Sequence, residues 1–146
     1  LDVGPKEDGT LDERQVKILE DLGTFIHDNE EAIYETEKGI SYDHFLGGST
    51  LSADKKVLYL FVYDKPSENL CVKGIKTPVK KVSVLHTGEE LSFSYTGSLP
   101  WSGIPGTLWI RADQMKEHPL VTVLKVELEG EITFNVGHGE VVTNND

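Results

Sequence analysis

Cysteine is almost missing from this chain: Cys71 stands alone in 146 residues, so no internal disulfide can form and the redox compartment stays open. No apolar run approaches the roughly 20 residues that a membrane-spanning helix needs, and no signal-type h-region is visible. No membrane partner is expected. An Asn-x-Ser/Thr sequon is also absent, which offers no support for a glycosylated lumenal origin. Methionine occurs once, at Met115, and the first residue is Leu1, so the chain is expected to be a processed product or a piece of something longer. Basic residues are scarce, 14 Lys+Arg against 25 Asp+Glu, for a net charge of −11. The imbalance is uneven: residues 1–40 carry 4 basic against 12 acidic side chains, a net of −8, and the remainder 10 against 13, a net of −3. Such a field repels a phosphate backbone, which excludes nucleic acid as the expected partner.

Metal-ligand spacing is missing too. His27, His44, His86, His118 and His138 are scattered, without His-x-His or His-Glu-x-x-His, so no metal site is expected. Gly4–Gly9 superficially looks like a phosphate loop, but no Gly-Lys-Ser/Thr follows, and its glycines read as turn residues. Cys71, among Val and Leu, reads as a small buried hydrophobe rather than a nucleophile.

What is present begins with a helix predicted from about Leu11 to Asp28. Thr10 and Glu13 have the spacing of a capping box. Leu11, Ile18, Leu19, Leu22, Phe25 and Ile26 recur at helical spacing as one apolar stripe, while Glu13, Lys17, Glu20, Asp21 and Asp28 take the other side. Glu13 and Lys17 are ordered as a favourable i,i+4 pair. Ahead of the helix, Leu1-Asp2-Val3 closed by Gly4-Pro5 reads as the last residues of a strand. A lone strand–loop–helix unit cannot bury its own apolar face. The stripe must dock on the rest of the chain, on another copy, or on a partner, or else the segment frays.

A short helical turn is expected at Asn29–Tyr34 and a polar linker at Glu35–Gly39. Beyond Gly39 the hydrophobic period changes from 3.6 to 2. Strands are predicted at Tyr42–Leu46, Ser49–Leu51, Val57–Tyr63, Asn69–Val72, Val79–Leu85, Leu91–Tyr95, Thr107–Arg111 and Val121–Leu128, with one more at Glu131–Val136. Turn signals such as Ala53-Asp54-Lys55-Lys56 and Thr87-Gly88-Glu89-Glu90 separate them. Many short strands at this spacing favour an antiparallel β-sandwich. Thr122, Leu124, Val126 and Leu128 are expected to face its core. The tail, 141–146, is polar and expected to be disordered.

Three groups of aromatic residues remain. Tyr59, Phe61 and Tyr63 share one strand face and read as cross-strand packing. Trp109, between Leu108 and Ile110, reads as packing as well. Trp101 lies in Leu99-Pro100-Trp101-Ser102-Gly103-Ile104-Pro105-Gly106, and two readings stand. Tryptophan is highly buried on average, which favours a ring that caps the core. On a Gly/Pro loop, the alternative is an exposed ring that stacks on a sugar.

The opening stretch resembles a known family. Val3-Gly4-Pro5-x-x-Asp8-Gly9-x-Leu11, the capped helix, and Asn29-Glu30-Glu31-Ala32-Ile33-Tyr34-Glu35-Thr36 are similar to the end of the catalytic barrel in α-L-fucosidases of glycoside hydrolase family twenty-nine. There the last barrel strand ends in Leu-Asn-Val/Ile-Gly-Pro, and a helix and Asn-x-Glu-Ala-Ile-Tyr lead into a C-terminal β-sandwich. The match is close over Leu1 to Thr36 and looser, through Leu58-Tyr59-Leu60-Phe61-Val62, to about Gly130. Asp2 departs from the family's usual Asn. The resemblance implies a mainly β fold, divided as residues 1–38 (last β/α unit of a (β/α)8 barrel, with linker), 39–136 (antiparallel β-sandwich) and 137–146 (polar tail). It implies a parent that removes terminal α-L-fucose with retention, needs no cofactor, and is periplasmic or secreted. Its expected partners are the missing catalytic barrel and a fucosylated glycan, with self-association through the Leu11–Asp28 helix as a further candidate.

Retaining glycosidases place two carboxyl groups about 5–5.5 Å apart, one of them kept protonated by its surroundings. The neighbouring acids here are Glu30-Glu31, Glu89-Glu90, and Glu127 with Glu129, all among polar residues, and they read as solvated surface charges. The family's catalytic Asp and Glu lie on earlier barrel strands, so no catalytic residue is assigned in this chain. Trp101 is the one candidate carbohydrate-binding residue. The competing functional classes are an independent carbohydrate-binding module using Trp101 and a purely structural interaction sandwich.

Overall fold

A computed structural model describes residues 3–64, 66 and 68–135. Expectations for Asp2, His138, the end of the last predicted strand at Val136 and the tail 137–146 lie outside the described residues.

Among the described residues, one α-helix, α1 (Glu13–Asp28), precedes eight strands: β1 (Thr36–Lys38), β2 (Gly48–Ser52), β3 (Val57–Val62), β4 (Asn69–Lys73), β5 (Val79–Val84), β6 (Phe93–Thr96), β7 (Thr107–Arg111) and β8 (Thr122–Leu128). They form two antiparallel sheets, one in the order β1-β2-β3-β8-β5 and one in the order β4-β7-β6. The chain changes sheet between β3 and β4, β4 and β5, β5 and β6, and β7 and β8, so neither sheet is built from one continuous meander.

Period 2 explains which side chains meet. Leu58, Leu60 and Val62 of β3 and Leu124, Val126 and Leu128 of β8 turn inward and meet Val72, Leu108 and Ile110 of the second sheet in one core. The inward set expected on β8 is therefore correct. The alternate residues are apolar as well: Tyr59 and Val123 are buried on the outer face, with Val57 and Phe61 half-buried around them. In consequence β3 reads Val-Leu-Tyr-Leu-Phe-Val, a continuous run rather than a clean alternation.

Several local expectations are corrected. The helix is capped by Asp12, whose Oδ1 accepts the Arg14 N–H at 2.9 Å, and not by the Thr10/Glu13 box. Thr10 is held elsewhere: its N–H and hydroxyl both donate to Asp8 Oδ1, at 3.0 and 2.7 Å, closing the preceding loop. Lys17 reaches forward to Asp21 at 3.1 Å rather than back to Glu13. Of the expected strand end, Leu1 and Asp2 lie outside the described residues, and Val3–Pro5 pairs with no strand among those described. Within the expected linker 35–39 lies β1, which pairs with β2 as the sheet's edge. Residues 42–46 form turns instead of a strand: His44 and Phe45 N–H both donate to the Ser41 carbonyl, at 2.9 and 3.2 Å, and Phe45 is thereby buried. Segment 131–135 contributes only an isolated bridge, Phe134 to Ile75.

Leu124 is fully buried on a strand paired on both sides. Leu124→Ala should lower unfolding stability by about 2–5 kcal/mol in urea titrations, whereas the exposed Lys80→Ala should stay within about 0.5 kcal/mol.

Candidate functional site

Three features of this fold bear on function: the junction where α1 meets the sandwich, the exposed face of α1, and the hairpin between β6 and β7. At the junction, the single turn of 3-10 helix Glu30–Ala32 lies on the outer face of the large sheet and buries Ala32 against Tyr59 and Val123. Thr50 of β2 donates its hydroxyl to the Ala32 carbonyl at 2.7 Å. Glu31 accepts from the Tyr59 hydroxyl at 2.7 Å and pairs with Lys125 of β8. Burial pushes the Glu31 carboxyl up, but the hydrogen bonds from Lys125 and Tyr59 win and hold it below the ordinary range. Burial and the neighbouring Glu31 raise the Tyr59 hydroxyl well above its usual value. Glu31 is exposed, as expected of a surface charge, and its engagement by Tyr59 and Lys125 makes it a clamp. A carboxyl held ionised also has the opposite character to a general acid. The shallow cleft beside it, about 660 Å³, is lined by Glu30, Glu31, Tyr34 and Asp54.

Two histidines distant in sequence meet on the other side of the junction. His118 is buried, with its ring 5.4 Å from Phe25 of α1 and 5.2 Å from His86. His118 Nδ1 accepts the Leu120 N–H at 3.2 Å, which leaves the proton on Nε2, 3.5 Å from Asp28 Oδ2. The pair borders a cleft of about 630 Å³ with Lys17, Asp21, Thr24 and Lys116. Burial, and then the neighbouring His118, push the His86 imidazole below its ordinary value. Spacing could not have shown this grouping, since Asp28, His86 and His118 come from three separate elements. Among the described residues, no three His, Cys, Asp or Glu side chains are placed to hold a metal ion.

The apolar stripe of α1 is largely uncovered. No helix residue is fully buried; Ile18 is 53 % exposed, and Leu11, Leu19 and Leu22 are exposed as well. Only the last turn is seated, through Phe25 on the Tyr59–Val123 patch.

Trp101 is not a core cap. It is 84 % exposed, on a 3-10 turn (Pro100–Ser102) at the tip of the β6–β7 hairpin. Trp109 is half-buried on the outer face of the small sheet, its indole N–H donating to Thr96 Oγ1 at 2.7 Å. Cys71 is half-exposed beside it, on β4, rather than buried, because Leu70 and Val72 take the inward positions. Tyr59 packs as expected, while Tyr63 is 65 % exposed. Glu89 accepts the Lys116 N–H at 3.0 Å and Glu90 faces Lys81 at 3.5 Å, so these neighbouring acids are engaged separately.

These features define the class: a two-sheet antiparallel β-sandwich with an appended, incompletely covered amphipathic helix. No family model and no curated protein sequence matches the chain. Solved structures do. An α-L-fucosidase from Vibrio sp. strain EJY3 superimposes with a TM-score of 0.72 at 22% identity, over 92% of this chain and 24% of its own. A GH29 α-L-fucosidase from Bacteroides thetaiotaomicron gives 0.68 at 21% identity, over 88% of this chain and 28% of that one, and was trapped there as a covalent intermediate. α-L-Fucosidase isoenzyme 1 from Paenibacillus thiaminolyticus gives 0.65 at 21%, over 87% and 30%. The chain therefore has the fold of a part of these enzymes, consistent with their C-terminal domain, and spans under a third of their length.

Two outcomes follow for this site. Trp101→Ala should change unfolding stability by no more than about 0.5 kcal/mol, because the ring buries little. Acidification should destabilise the junction. With His86 depressed in the fold from an ordinary value of 6.5, the unfolded chain takes up a proton first, so its stability contribution is present above that value and lost as pH falls through it. Besides His118, the charged groups facing His86 are Asp28, Lys116 and Glu89. Urea midpoints measured from about pH 7.5 to 5.5 should fall less steeply in His86→Gln than in the parent chain.

Proposed function

We propose that this chain is the non-catalytic C-terminal part of a retaining α-L-fucosidase, comprising the last β/α unit of the catalytic barrel (residues 1–38) and the accessory β-sandwich that follows (39–136). The carrying observation is an amphipathic helix whose apolar face is left open, attached to a sandwich with the fold of part of GH29 fucosidases. Ile18, Leu19 and Leu22, which are 53, 37 and 36 % exposed, would each gain on the order of 0.5–1.5 kcal/mol from full cover, which a neighbouring barrel helix and sheet can supply. The sandwich then acts as a fixed platform. Its clamp at Glu31, Tyr59 and Lys125 holds the polypeptide where it leaves the barrel.

The parent activity proposed by resemblance to these fucosidases is hydrolysis of terminal α-L-fucosyl linkages by two carboxylates in the barrel, without a cofactor. An exported, periplasmic or secreted enzyme is the location in keeping with that substrate. A structural role fits the local chemistry, as the one strongly hydrogen-bonded carboxylate at the junction is held ionised by Tyr59 and Lys125.

Hydrolysis of an aryl α-L-fucoside tests this directly. The chain alone should show none, and the product of its whole reading frame should release fucose with retention of configuration. Fucoside turnover by residues 1–146 that disappears on mutating one of their acids would overturn the proposal, as would an inactive whole product. Replacing Ile18 and Leu22 by Ser should leave the stability of the isolated chain nearly unchanged and destabilise the whole product by several kcal/mol. If instead it only dissolves a dimer of the chain, a second copy is the occupant of the stripe and the barrel assignment fails.

A further inference from the structure

The β6–β7 hairpin differs in chemistry from the rest of the molecule. From Leu91 to Ile110 the sequence holds no Asp, Glu, Lys, Arg or His, in a chain where 27% of residues are charged and the net charge is −11. The same stretch carries hydroxyl groups at Ser92, Ser94, Thr96, Ser98, Ser102 and Thr107. At its tip, residues 96–104 are all exposed, and Trp101 at 84 % is the largest ring so presented.

The tip is nonetheless built rigidly. Leu99 and Ile104 exchange backbone hydrogen bonds at 3.0 and 3.3 Å, and the Ser102 N–H and hydroxyl both donate to the Leu99 carbonyl, at 2.9 and 3.0 Å. Gly103 ends the 3-10 turn at φ 72°. Gly106, at φ 81°, lies so close to Thr96 and Ser98 that a Cβ there would come within 2.7 Å of the Thr96 carbonyl oxygen. The backbone that carries the indole is thus fixed in advance, which reduces the ordering that binding would otherwise require.

We propose that this tip is a contact site for a neutral sugar, with Trp101 stacked on the apolar C–H face of a pyranose ring and the Ser98 and Ser102 hydroxyls bordering it. Charge decides between occupants. An uncharged surface offers no cation to an anionic lipid headgroup or a phosphate, and the acidic remainder of the chain repels both. A neutral polyol with one apolar face matches it in both respects. The inference stands on the hairpin alone and does not depend on the fucosidase reading.

Titration of the chain with 2′-fucosyllactose and with lactose, followed through the indole N–H resonances, is the test. Millimolar binding should shift Trp101 and leave Trp109, whose N–H is engaged by Thr96, nearly unmoved. Trp101→Ala should weaken binding at least about tenfold at unchanged thermal stability, and Trp101→Phe should retain most of it. Gly106→Ala, with Trp101 intact but the turn strained, should weaken it as well. The proposal fails if neither sugar shifts Trp101, or if Trp101→Ala binds as the parent does. It also fails if Trp101→Ala abolishes only self-association or only adsorption to phosphatidylcholine vesicles. Sugar binding without fucosidase activity in the whole reading-frame product would uphold this site and reject the proposed function.

Discussion

The fold depends on one constraint: the β3–β8 pair is apolar on both faces, and both must be kept from water. Leu58, Leu60, Leu124 and Val126 meet the second sheet on one side. On the other, Tyr59 and Val123 need a cover that the β-sandwich by itself does not supply. The segment running from the last turn of α1 through Ala32 supplies it. The two halves of the chain are therefore joined by burial rather than by a flexible tether, and the Glu31–Tyr59–Lys125 clamp fixes their register. Hydrogen bonds to a charged partner are worth roughly 1.5–3 kcal/mol where partly shielded and less in the open. The clamp thus adds orientation to an attachment made mainly by Phe25, Ala32 and their neighbours.

That economy of cover explains the behaviour of α1. Only Phe25 is needed to complete the outer face of the sheet, so the remaining stripe projects beyond the sandwich. A helix of 16 residues is marginal by itself in water. Seating its final turn next to His118 and Asp28 ties its end to the domain, while its outer turns rely on capping by Asp12 and on the Lys17–Asp21 pair. A helix so arranged keeps most of its apolar face open, which is the feature the proposed packing on a catalytic domain would use.

Charge divides the surface in a second way. The acidic excess is concentrated in residues 1–40, around the helix and its junction, whereas the hairpin spanning β6 and β7 is uncharged. Trp101, at 84 % exposure, is therefore displayed on a stretch free of charged side chains.

Seven of the eight strands were legible in the sequence, because β-branched and apolar residues alternate between strong turn signals, as in Thr107–Arg111. The helix was equally legible from its 3.6 period, and the opening motif already pointed to the fucosidase resemblance. Local competition escaped that reading. Asp8 holds Thr10, so the cap passes to Asp12; β1 is three polar residues that become a strand only because β2 offers an open edge; and 42–46 folds into turns around the Ser41 carbonyl despite an apolar run. The site was the least legible part. Trp101 has the composition of a buried residue, and only the closed hairpin places it in water. Glu31, Tyr59 and Lys125, like Asp28, His86 and His118, are brought together by crossings between separate elements, and no spacing along a chain encodes a contact made that way. Periodicity acts over a few residues and so determined the elements; which faces remained uncovered was decided by how the two sheets and one helix share a limited apolar surface.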